Sequence, residues 1–88
     1  MSRVIALQFD NDKARENALA FIAKIAEYKV DCKLIVFRKN GLAPLGAKDL
    51  TEAEFEFPEG VDNDSKMKNF ILKKMQSDGF NGFLHIVS

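Results

Sequence analysis

Leu34-Ile35-Val36-Phe37 and Glu54-Phe55-Glu56-Phe57, with Arg38-Lys39-Asn40-Gly41 and then LAPLGAKDLTEA (42–53) between them, are the stretch on which the fold turns. L-I-V-F is an apolar run too short for a helix and suited to a buried strand. E-F-E-F alternates strictly, the mark of a half-exposed strand. The connection over 40–52 holds Gly41, Pro44 and Gly46, with room for one helical turn near Ala47–Leu50. It is long for a hairpin and close to the minimum for a crossover between parallel strands. The direction of the 54–57 strand therefore decides the architecture.

Upstream, Val4 to Phe9 (V-I-A-L-Q-F) is a first buried strand that stops at Asp10-Asn11-Asp12, residues that favour helix N-caps. Ala14, Ala18, Phe21, Ile22, Ile25 and Ala26 then recur at spacings of three and four, one apolar stripe on an amphipathic helix. Downstream, Pro58 and Gly60 end the E-F-E-F strand, and Asp62-Asn63-Asp64-Ser65 forms a second capping cluster. Met67, Phe70, Ile71 and Met75 line the next helix, Asp78-Gly79 closes it, and Phe83 to Val87 (F-L-H-I-V) is a last buried strand. The order is β-α-β-β-α-β in one domain over residues 1–88.

Two architectures share that order. The expected one is a small Rossmann-like α/β fold, a mostly parallel sheet with two main helices. The alternative is a ferredoxin-like α+β two-layer sandwich with an antiparallel sheet. Apolar residues at Ile5, Leu7 and Phe9, at Ile35 and Phe37, at Phe55 and Phe57, and at Leu84 and Ile86, against Gln8, Arg38, Glu54, Glu56 and His85, read as one cleaner sheet face and favour two layers. The 40–52 connection favours the parallel sheet.

With 88 residues, 47% of them apolar, the chain is long enough for one small core and too apolar for a disordered segment. No apolar run is long enough to span a membrane, and no signal-peptide pattern opens the chain. Lone Cys32 cannot close an internal disulfide, which fits a reducing, cytoplasmic setting. The formal charge of zero hides a pattern: residues 1–40 sum to +3, residues 41–64 to −6 and residues 65–88 to +3. The zero total argues against nucleic acid, as do Glu54 and Glu56, which would repel phosphates from the sheet. The acidic 41–64 region reads first as a solvated edge, and second as a surface for a basic protein partner.

Few residues offer chemistry. His85, inside an apolar strand, reads as a sheet residue with one satisfied ring nitrogen, and Cys32 as a small buried side chain. No catalytic triad or metal-ligand spacing can be assembled. The Asp-Asn-Asp tripeptides at 10–12 and 62–64 lack the continuation of a calcium loop and read as helix caps. The glycine patterns of phosphate-cradling loops are absent. Lys66, Lys68, Lys73 and Lys74 form a solvated face, with anion contact near that helix's start as the sharper alternative.

Taken together, the apolar strand ending in Phe9-Asp10-Asn11, the amphipathic helix and L-I-V-F strand, the turn Phe57-Pro58-Glu59-Gly60, the helix start Ser65-Lys66-Met67-Lys68-Asn69 and the turn Gly79-Phe80-Asn81-Gly82 before an apolar strand resemble the N-terminal, nucleotide-sugar-binding part of a GT-A-fold, family-2-type glycosyltransferase. The resemblance implies a site in which Phe9, Asp10 and Asn11 border the nucleotide and Lys66, Lys68 and Asn69 approach its phosphates. It implies an N-terminal segment of a longer protein, with a divalent metal expected only if an Asp-x-Asp followed Ser88. Arg38-Lys39-Asn40 stand where the family has base-recognising acidic residues. The expectation is a nucleotide-sugar-binding portion, not catalytic on its own and, as a transferase, incomplete as given. The alternative is a complete, non-enzymatic ferredoxin-like module for protein–protein interaction or regulation.

Overall fold

The computed structural model describes residues 3–88 and contains β1 (Arg3–Phe9), α1 (Asp12–Glu27), β2 (Cys32–Arg38), β3 (Ala53–Glu56), α2 (Asp64–Ser77) and β4 (Leu84–Val87). The four strands form one sheet in the order β3-β2-β1-β4. Every neighbouring pair is parallel, with Ile5 opposite Leu34, Leu7 opposite Ile86 and Phe37 opposite Phe55. The fold is thus α/β and Rossmann-like, and the antiparallel ferredoxin-like alternative is set aside.

The parallel register also overturns the expectation of one cleaner face. Ile5 lies opposite Leu34, and Ala6 opposite Ile35. Apolar positions one residue apart therefore fall on opposite faces, and both faces are covered. On one side Ile5, Leu7, Phe9, Leu34 and Val36 pack against Ala14, Ala18 and Ile22 of α1. On the other, Ala6, Ile35, Phe37 and Phe57 pack against Met67, Ile71 and Met75 of α2. The chain leaves β1 toward β2 and later returns past it to β4, so right-handed crossovers place the two helices on opposite faces.

Each helix starts as its sequence dictates. The Asn11 side chain accepts the Ala14 N–H at 2.8 Å, and that of Asn63 accepts the Lys66 N–H at 2.9 Å. Both Asp-Asn-Asp tripeptides are N-caps, each worth about 1 kcal/mol. Ala14 and Ala18 let α1 approach the sheet closely, while Ala26, expected on the same stripe, is exposed. Gly79, with φ of 89°, takes the left-handed conformation that ends α2.

No helix joins β2 to β3. The 39–52 segment acts in its place, with buried Leu45 and part-buried Leu42 and Ala47 extending the α1-side core. Arg15 of α1 ties it down, donating from Nε to the Ala43 carbonyl and from Nη2 to that of Pro44. Arg38 holds it from below, with Nε on the Leu42 carbonyl, Nη1 3.0 Å from Glu54 and Nη2 3.7 Å from Glu56. The second Glu54 contact, from the Leu45 N–H, completes the clamp. On the α2 side Phe37 touches the rings of Phe55, Phe57 and Phe70, and Lys74 sits 4.6 Å over Phe55.

Candidate functional site

In an open parallel sheet the place for a ligand is outside the carboxyl ends of the strands, where the strand order reverses. Here successive connections go from β1 outward to β2 and β3 and then back to the other side of β1, so the reversal lies between β1 and β4. At that point Asp10 and Asn11 follow β1, α1 begins, and Ser88 follows β4. The Ser88 N–H bonds the Gln8 carbonyl at 2.9 Å, and its Oγ donates to the Ala14 carbonyl, also at 2.9 Å. The strand ends are therefore laced to the first turn of α1.

Residues expected at the site fall into two groups on opposite faces of the sheet. On the α1 side, the Phe9 ring is fully buried in the core, so this residue supports the strand end from beneath. Asp10 is half-buried and its carboxylate accepts from Asn11 Nδ2 at 3.0 Å. Asn11 is exposed and already engaged as the α1 cap. On the α2 side, Lys66 donates to the Gly60 carbonyl and pairs with Asp62 at 3.4 Å, which leaves it partly neutralised. Lys68 and Asn69 are exposed on the next part of the same turn.

Next to Phe9 in β1, the Gln8 side chain ties that strand to α2 and β4 on the α2 side. Gln8 is 1% exposed on the α2 side of the sheet. Its Nε2 lies 3.1 Å from the Met67 sulfur, between Lys66 and Lys68 in the chain. Its Oε1 lies 2.9 Å from His85 Nε2. An amide oxygen can only accept, so His85 carries its proton on Nε2 and leaves Nδ1 as an acceptor. Burial, and then the positive charge of Lys68, push the His85 pKa below its ordinary value and disfavour the charged ring. The signal for this network was a single glutamine in V-I-A-L-Q-F, which became informative only once its strand was central.

Other candidates are less favourable to chemistry. Burial, with help from Asp31, raises the pKa of the half-buried Cys32 thiol, so it is a poor nucleophile. Among the described residues no three His, Cys, Asp or Glu side chains gather as a metal site. No helix there is long and apolar enough to cross a membrane. The acidic 41–64 region is partly neutralised by cations that flank it in the chain, because Glu54 and Glu56 meet Arg38 and Asp62 meets Lys66. A cavity of about 470 Å³ lies beside β3, lined by Arg38, Pro44, Gly46, Lys48, Glu52 and Glu54 among others. Arg38 and Lys48 balance the two glutamates, so its lining favours neither an anion nor a cation. Compared with known proteins, the chain matches no family model, no curated protein and no solved structure.

Proposed function

We propose that this domain binds the nucleoside diphosphate part of a nucleotide sugar at the carboxyl ends of β1 and β4, and does not catalyse transfer on its own. The observation that carries this reading is the reversal of strand order between β1 and β4, with Asp10, Asn11 and Ser88 beside it. Electrostatics orients the ligand. Asp10 and Asp12 disfavour phosphate at the start of α1, so the nucleoside lies there and the Asp10 carboxylate accepts from ribose hydroxyls or a base N–H. Lys68 and Asn69, across the sheet end, take the diphosphate, while Lys66 shares its charge with Asp62. The sheet holds both sides in fixed relation, and the Gln8 network fixes α2 against it.

The test is a titration of the isotope-labelled chain with UDP, followed by amide chemical shifts. The expected result is movement at Asp10, Asn11, Lys68, Asn69 and Ser88. Asp10→Ala is expected to weaken binding roughly tenfold or more, the cost of one charged hydrogen bond. Shifts confined to the cavity beside β3, or no shift at millimolar UDP, overturn the reading.

A further inference from the structure

The two edges of the sheet are protected very differently. β3 carries Glu54 and Glu56, which would meet like charges in a second copy. β4 carries no charge, and no Asp, Glu, Lys or Arg occurs anywhere from Gly79 to Ser88, in a chain that is 30% charged. Leu84 and Val87, on opposite faces of β4, are 59% and 58% exposed. Apolar surface is therefore exposed on both faces of β4.

The backbone at that edge is equally open. Because the Ser88 N–H bonds the Gln8 carbonyl, the alternation of a parallel ladder turns Leu84, Ile86 and Ser88 toward β1. The N–H and C=O groups of His85 and Val87 then face outward. β4 has no lysine, proline or inward charge to discourage pairing, and only its shortness limits it.

We propose that β4 pairs with β4 of a second copy, antiparallel about a two-fold axis, to join two sheets into one of twice the width. Such an interface is isologous, so the outward groups of His85 and Val87 in one copy bond those of the other. The antiparallel arrangement brings Ile86 beside its counterpart on the axis and Leu84 opposite Ser88 of the copy on the α1 side, and Val87 opposite His85 of the copy on the α2 side. The absence of charge from Gly79 to Ser88 means that no like-charged pair from this stretch is buried, which selects β4 over β3 and a second copy over a charged partner. This inference is independent of nucleotide binding, since the outer edge of β4 is not the β1–β4 crevice.

Sedimentation velocity and amide hydrogen exchange on the 88-residue chain test it together. The expected mass is twice 9.9 kDa at high concentration, with amide protection at His85 and Val87 that rises with concentration. Val87→Lys and Leu84→Lys each put a charged ammonium into an apolar seam, and each is expected to weaken association about tenfold or more, with circular dichroism unchanged. Tyr28→Lys, at an exposed apolar residue (71%) on another surface, is expected to leave the mass unchanged. A monomer at millimolar concentration overturns the proposal, as does a dimer that survives both lysine variants. Protection at β4 that appears only with an added extended apolar peptide also overturns it, in favour of strand capture from another protein.

Discussion

At Gln8 a carboxamide occupies a sheet position whose neighbours on the same face are Ala6, Ile35 and Phe37. A buried amide is tolerated when its polar atoms have partners, and here one partner is a thioether and the other a histidine. The sulfur is a weak acceptor, so the His85 bond is the stronger of the two. Gln8→Ala leaves a void and strips both contacts, and is expected to cost about 2–3 kcal/mol in urea unfolding. Gln8→Met keeps the volume and removes the polar group, and is expected to cost about 1 kcal/mol or less. His85 adds a pH dependence. Its folded pKa is depressed below 6.5 by burial and then by Lys68, so the unfolded chain takes up the proton first. The stability that depends on a neutral His85 is complete above 6.5 and is lost as pH falls toward the folded pKa. His85→Gln is expected to flatten the stability profile in that window, as read by unfolding midpoints at a series of pH values.

Among the elements, the caps and the β2–β3 crossover separate what is local from what is not. Asn63→Ala removes the side-chain acceptor for the Lys66 N–H, and is expected to cost about 1 kcal/mol while leaving the fold intact. Circular dichroism and denaturant midpoints check it. Both caps were legible because a cap needs only the residues beside it. The 39–52 crossover was legible only in length. Its anchor, Arg38, sat next to a strand in the sequence, while its partners Glu54 and Glu56 lay beyond the loop. Arg38→Met leaves Glu54, 16% exposed in its side chain, without a cation and frees the Leu42 carbonyl. The expected loss is about 2 kcal/mol, between the values for exposed and fully buried pairs, with faster amide exchange over 39–52 as the signature of a loosened crossover.

Across the whole molecule, one sheet carries a core on each face, one under α1 and one under α2, so the two cores share the same strands. Ile22→Ala on the α1 side and Ile71→Ala on the α2 side are each expected to cost about 2–4 kcal/mol. Fluorescence of the lone Tyr28 at the end of α1 and circular dichroism of the whole chain are expected to report a single coincident unfolding transition for both variants. Separate transitions would show that the layers fold independently. The amino-acid sequence by itself determined the element order, both helix caps and the apolar stripes, since these depend on neighbours within a turn or an alternating pair. It also located Asp10 and Asn11 after a buried strand. Only the tertiary structure decided strand direction, which set Ile5 and Ile35 on opposite faces and turned an apparent single apolar face into two. It alone made β1 central and β4 an edge, and so gave Gln8 its partners and left Val87 exposed. The reason is that a strand's side-chain period of two names the residues that share a face within that strand, while register and direction, fixed by long-range pairing, assign those faces across the sheet.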